Sequence, residues 1–213
     1  MRLLVRSVSV AALLAVPFPL LGQRIGFSAG GSVIAAKLES RSATVTERLS
    51  GALLGGEGRI TSNRLTLDVR YLQGSANPVA TGRAKDVVEG EALLGVRLAR
   101  WITLKTGPHL RTLVSPQQSE RWTFWDVRVR GMATIASGIL QSYVELGGAV
   151  AGSVNTGEKF GRGSGVEAVL IITPPKGRVW GRLGYRMDRG SVDDGTRLET
   201  VQGLVLSLGV GQR

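Results

Sequence analysis

The sequence predicts an all-β fold: an antiparallel up-and-down barrel of about ten strands, eight being the nearest alternative, that crosses a membrane. Three observations predict it. Apolar and polar residues alternate in segment after segment beyond residue 23, which is the period of a strand with two different faces. The segments are longer than the usual five or six residues and suit a tilted crossing of about 9 to 11. Glycine and β-branched residues recur throughout, and no sustained three-to-four spacing of apolar residues favours a helix.

Each element follows from the same rule. The first strand, Arg24 to Lys37, sets Ser28, Gly30 and Ser32 on one face, and the second, Leu49 to Ile60, sets Glu57 and Arg59 there. In Arg64 to Gln73, Leu65, Leu67, Val69 and Tyr71 oppose Thr66, Asp68 and Arg70. Ala84 to Ala99 sets Val88, Ala92, Leu94, Val96 and Leu98 against Glu89, Glu91 and Arg97. Trp101 to Val114 carries Lys105, His109 and Arg111, and Glu120 to Ala136 carries Asp126, Arg128 and Arg130. The last four are Ile139 to Val154 with Glu145, Gly163 to Thr173 with Glu167, Gly177 to Asp188 with Arg178, Arg182 and Arg186, and Arg197 to Gly211 with Glu199.

The links between them are expected to alternate. Longer polar loops fall at Leu38 to Arg48, Gly74 to Arg83, Ser115 to Ser119, Asn155 to Arg162 and Arg189 to Thr196. Tight turns fall at Thr61-Ser62-Asn63, Arg100, Ser137-Gly138 and Pro174-Pro175-Lys176. An even strand number with short turns at one end and long loops at the other is the topology of a bacterial outer-membrane barrel, with both termini in the periplasm.

Composition narrows the class. The chain has 213 residues, enough for one domain, with 43% hydrophobic, 20% charged and 5% aromatic residues. That is too apolar for a disordered chain, and its 30 glycines follow no Gly-X-Y period. With no cysteine, disulfide scaffolds, thiolate zinc sites, cysteine nucleophiles and a lipid-modified N-terminal cysteine are excluded together. Arg2 and Arg6 precede an apolar run, Val8 to Leu21, that is interrupted by Pro17 and Pro19 and is too short to span a bilayer as a helix. Residues 1–22 therefore read as a signal peptide and 23–213 as the barrel domain.

The charges decide which face is wet. Glu57, Arg59, Asp68, Arg70, Glu89, Glu91, Arg97, Lys105, Arg111, Asp126, Arg128, Arg130, Glu145, Glu167, Arg178, Arg182, Arg186 and Glu199 share one face in nearly balanced numbers, as a polar, ion-paired lumen requires. The opposite face, mostly Leu, Val, Ile, Ala and Gly, suits lipid. Tyr71, Trp125 and Tyr185 would mark the outer interface and Trp101 a periplasmic corner, while Trp122, Tyr143 and Trp180 fall on the polar face. A secreted soluble, lipocalin-like barrel binding an apolar ligand would use the same alternation inside out.

With that register the chain resembles the small outer-membrane β-barrel proteins of Gram-negative bacteria, from Gln23 onward, in pattern and topology. It departs from them in ending Gly211-Gln212-Arg213 without a terminal aromatic residue. The resemblance implies an outer-membrane location and contact with membrane lipid and the outer-membrane assembly machinery. Two enzyme families of that kind offer a comparison for His109, the single histidine. The omptin-like proteases pair aspartates with a histidine near the rim, which Asp86, Asp126, Asp188, Asp193 and Asp194 do not match. The lipid A deacylases carry Ser two positions after the His, where this chain has Arg111.

The remaining candidates are bland. Asp193-Asp194-Gly195 lacks the spaced ligands of a calcium loop and reads as a solvated turn. The glycines from Gly152 to Gly165 lack the strand-loop-helix setting of a phosphate loop and read as a mobile surface loop. Loop basic residues such as Arg41, Arg48, Arg83, Lys85, Arg121, Lys159, Arg162 and Arg189 point to lipopolysaccharide phosphates rather than nucleic acid, given export. The expectation is a non-enzymatic outer-membrane barrel with a structural or surface-interaction role, without cofactor or metal. A narrow pore for small solutes is the alternative.

Overall fold

A computed structural model of the chain describes residues 25–80, 82–136, 138–175 and 178–211, so the signal-peptide assignment lies outside the described residues. Ten strands follow one another: β1 Ile25–Ser42, β2 Thr46–Ser62, β3 Leu65–Pro78, β4 Lys85–Ala99, β5 Ile102–Val114, β6 Ser119–Ala136, β7 Leu140–Val154, β8 Phe160–Ile172, β9 Val179–Val192 and β10 Arg197–Gly211. Each pairs antiparallel with its sequence neighbours, and β1 pairs with β10 from Ser28↔Gly211 to Ser42↔Arg197. The sheet is a closed ten-stranded barrel with no open edge, so the ladder satisfies the backbone groups of every strand from both sides.

The strands run further than their alternation indicated. β1 continues past Lys37 to Ser42, and β2 begins at Thr46, so the first loop is only 43–45. β3 reaches Pro78, β8 begins at Phe160 and β9 runs on to Val192. The connections at this end, 43–45, 79–84, 115–118, 155–159 and 193–196, are therefore short, and the last holds a single 3-10 turn at Asp193–Gly195. At the opposite end lie 63–64, 100–101, 137–139 and 173–178, the last as long as any loop. The expected contrast between long loops and tight turns is thus mostly absent, because the extra residues are ordered into strand. Asn63 takes the left-handed conformation (φ 50°) that a two-residue hairpin turn requires, and Gly138 does the same in its turn (φ 73°).

Outside, a belt of apolar side chains is exposed. On β4, Val88, Ala92, Leu94, Val96 and Leu98 face out; on β10, Leu204, Leu206, Leu208 and Val210 are each more than half exposed. The ten steps from Val88 to Leu98, at about 3.3 Å each and a tilt of roughly 40°, give a height near 25 Å, the thickness of an outer-membrane apolar band. Tyr71, Trp125 and Tyr185 all face out at its loop-end margin. Past them the outward positions turn polar: Gln73, Ser75 and Asn77 on β3, Lys37, Glu39 and Arg41 on β1, Arg189 and Ser191 on β9.

Inside, the order reverses. The middle of the barrel is ionic, but towards the loop end its inward positions become apolar. Ile34, Ala36, Leu38, Leu49, Leu53, Leu72, Ala76, Val87, Leu113, Val201 and Val205 form one buried cluster, and Trp122, Phe124, Val154 and Val192 form another with Ala149 and Phe160 against it. The apolar layer at the loop end was not part of the expected polar, ion-paired lumen, whose charges lie in the middle. Above the belt the barrel is polar outside and largely apolar within, as a soluble β-barrel is.

Candidate functional site

The ionic middle is assembled from inward positions at period two on eight strands. Glu57 and Arg59 come from β2, Asp68 and Arg70 from β3, Glu89 and Glu91 from β4, and Lys105, His109 and Arg111 from β5. Asp126, Arg128 and Arg130 come from β6, Glu145 from β7, Glu167 from β8, and Arg182, Arg186 and Asp188 from β9. β1 and β10 contribute small side chains at this level: Ser32 and Ser207 are buried and share a hydrogen bond of 2.9 Å.

The pairs cross the lumen. Arg70 of β3 reaches Glu167 of β8 at 3.2 Å and Glu91 at 3.6 Å. Arg182 of β9 reaches Glu57 of β2 at 2.6 Å, and Arg186 reaches Glu89 of β4 at 2.5 Å. Lys105 bridges Asp68 (2.5 Å) and Glu145 (2.8 Å), with Arg130 on the same Glu145 at 2.7 Å. Arg128 joins Asp126 (2.6 Å), Glu91 (3.1 Å) and Glu145 (3.4 Å), and Arg111 joins Glu89 (2.9 Å) and Asp188 (3.6 Å). Arg59 closes the set on Asp68 at 2.5 Å. Eight carboxylates (Glu57, Asp68, Glu89, Glu91, Asp126, Glu145, Glu167, Asp188) thus face eight cations (Arg59, Arg70, Lys105, Arg111, Arg128, Arg130, Arg182, Arg186) in one connected network. Balance of this kind is what allows so many charges away from bulk water, since each is compensated by several neighbours.

His109 lies between two carboxylates of the network. Its Nε2 faces Glu89 Oε1 at 3.5 Å, its Nδ1 faces Asp126 Oδ2 at 3.3 Å, and its ring lies 5.2 Å from that of Phe124. Its position marks the boundary between the ionic layer and the aromatic cluster. The inward aromatics that the alternation left unexplained are packing elements. Tyr143 lies under the Arg130 guanidinium (4.0 Å) and its hydroxyl accepts a hydrogen bond from Arg182 at 3.2 Å. Trp180 covers Gly30 and Gly209, where no Cβ would fit, and donates its indole N–H to the Val210 carbonyl at 3.3 Å.

Three of the expected lumen residues stand elsewhere. Arg97 is exposed at the turn-end mouth, next to a register shift between Arg97 and Ala99. Arg178 precedes β9, is exposed, and lends only its backbone carbonyl to Gly211. Glu199 is buried at the loop end, where it meets Arg197 at 3.7 Å rather than the β9 arginines. Arg197 gathers Glu120 and Glu158 (3.1 Å) as well and lies over the Trp122 ring at 5.5 Å. Asp188, in turn, belongs to the network although β9 was expected to end there. The alternation through Arg182 and Arg186 is the signal that includes it.

Of the glycines expected in a surface loop, only Gly157 lies in one, in the left-handed conformation (φ 85°). Gly152 ends up in β7, and Gly161, Gly163 and Gly165 in β8, where a Cβ on Gly152 would strike the Phe160 ring at 2.8 Å. Asp193 Oδ1 accepts from the Lys159 backbone N–H at 2.8 Å, as a turn carboxylate does. Among the described residues no cluster of histidines and acids has the arrangement of a metal site.

No protein-family model matches the sequence, and no curated protein matches it either. Among solved structures the chain is similar to neisserial surface protein A (TM-score 0.39, 14% identity, covering 86% of this chain and 96% of that one). It is also similar to Ail, the attachment invasion locus protein of Yersinia pestis (TM-score 0.36, 10% identity, covering 87% and 98%). A third is the outer membrane channel DcaP of Acinetobacter baumannii (TM-score 0.34, 13% identity), which is covered to 62% of its length by 83% of this chain.

Proposed function

We propose that the chain is a bacterial outer-membrane barrel whose lumen is closed, and that it works as a structural or surface-interaction protein rather than as an enzyme or a conduit. One observation carries this reading: the lumen holds two layers in series, an ion-pair network spanning it from wall to wall and an apolar stack between that network and the loops. A permeating ion would have to displace compensated charges and then cross a dry segment, and either step is costly. The exposed apolar belt and its aromatic margin support a lipid setting over a soluble ligand-binding barrel, which would carry such a surface in water. His109 is buried and faces carboxylates on both nitrogens, which suits structure better than proton transfer to a substrate. The exposed Arg41, Arg83, Arg121 and Arg189 at the loop end suit the phosphates of lipopolysaccharide, and the unbroken barrel suits insertion by the outer-membrane assembly machinery.

The test combines membrane fractionation, gel mobility before and after boiling, and planar-bilayer recording. An outer-membrane band whose mobility changes on boiling, with no conductance steps, is expected. Discrete steps would support the narrow pore instead, and a soluble protein would overturn the membrane reading.

A further inference from the structure

The turn end of the barrel opens on a cavity of about 350 Å³, within the range of small-ligand sites. Its charged lining is entirely basic: Arg59, Lys105 and Arg130 at the floor, Arg97 and Arg100 towards the rim. The floor cations are already compensated from below by Asp68 and Glu145. Arg97 and Arg100 are exposed and make no ion pair among the described residues, so the mouth carries two uncompensated guanidinium groups. Thr61, Asn63 and Thr103 add polar side chains to the same lining.

We propose that this mouth binds a phosphate group, carried as a phosphomonoester or phosphodiester, with Arg97 and Arg100 supplying the charge. Guanidinium forks match phosphate oxygens in pairs. The exposed Trp101 with Met132 on one side, and Ile25 across the mouth on β1, would accommodate an organic portion. The inference does not depend on the lumen being closed, because the cavity ends on the Lys105–Arg130 floor.

The phosphate could arrive on a soluble ester or on a lipid headgroup, and two arms separate these sources. The full chain, extracted from membranes in an uncharged detergent, is titrated with inorganic phosphate and glycerol 3-phosphate while phosphorus NMR line widths are followed. The same protein in phosphatidylcholine nanodiscs doped with phosphatidylglycerol is compared with undoped discs. Saturable broadening in either arm is expected, and the arm in which it occurs names the source. Arg97→Gln with Arg100→Gln should weaken binding about tenfold or more. Arg83→Gln at the opposite end should leave it unchanged. Boiling-dependent gel mobility establishes that each variant is folded, and Arg100→Gln alone, in an exposed turn, replaces the double variant if that one is not. Broadening in neither arm, or a loss on the arginine substitutions no greater than that of Arg83→Gln, would overturn the site.

Discussion

Glu145 receives Lys105 at 2.8 Å, Arg130 at 2.7 Å and Arg128 at 3.4 Å from two neighbouring strands, all within the barrel. Removing that carboxylate leaves three buried cations short of a partner, the circumstance in which breaking a buried ion pair costs about 3–5 kcal/mol. Glu145→Ala should therefore lower the denaturant midpoint strongly, whereas Glu39→Ala, which breaks the exposed Arg48 pair, should cost no more than about 1 kcal/mol. Equal shifts in tryptophan-monitored unfolding would show that the lumen charges do not act as a network. Glu199 responds differently. It pairs in register with Ser40, beside the outward Glu39 of β1, and so lies beyond the apolar belt. Burial pushes its carboxyl up to about 7, opposed by a Ser40 hydrogen bond and reinforced by Glu120. Because the unfolded chain ionises this group near the ordinary glutamate value, it holds fewer protons than the folded chain between there and about 7. Stability should fall as pH rises through that window and level off above it. Glu199→Gln should flatten that slope in unfolding measured from pH 4 to 8; an unchanged slope would assign it to another group.

At the scale of the strand, what was legible and what was not has one cause. Alternation identified ten strands because an apolar outer face and a charged inner face make the two sides of each strand unlike: Leu65, Leu67, Val69 and Tyr71 alternate with Thr66, Asp68 and Arg70. Past the belt the contrast inverts, so Leu38 points inward between Lys37 and Glu39 pointing out. A rule that tracks one apolar face then loses the strand at its phase change, which is why β1, β3 and β9 were expected to stop early. The apolar lumen stack was hidden by the same inversion. Glycines were legible only as composition, since their use lies between strands. Gly30 and Gly209 face each other across β1 and β10, and Trp180 of β9 covers both. A Cβ on Gly209 would fall 2.2 Å from the indole and 2.3 Å from the Ala29 carbonyl, leaving no room for relaxation. Gly209→Ala should destabilise by about 1–3 kcal/mol and alter the near-ultraviolet tryptophan circular dichroism. Gly31→Ala, whose Cβ would meet nothing closer than 3.9 Å, should do neither. Similar effects from both would mean the Trp180 contact is not the constraint.

For the molecule as a whole, the two lumen layers lie in series, and that arrangement makes a prediction neither layer makes alone. Barriers in series are dominated by the larger one that remains. Truncating the aromatic cluster with Trp122→Ala, Phe124→Ala and Phe160→Ala would hydrate the loop end, yet the Arg70–Glu167 and Arg182–Glu57 crossings would still close the middle. Conversely, Arg70→Ala, Glu167→Ala, Arg182→Ala and Glu57→Ala together remove both crossing pairs, each with its partner, but the apolar stack above remains. Each set alone should therefore leave bilayer conductance at the background of the unmodified protein. Combined in one chain, they should produce steps, provided that boiling-dependent mobility shows the barrel intact. Conductance from either set alone would mean that only one layer seals the lumen. Silence from the combined, folded variant would mean that Arg128, Arg186 and their partners seal it without the other pairs, placing the closure in the network as a whole rather than in its longest crossings.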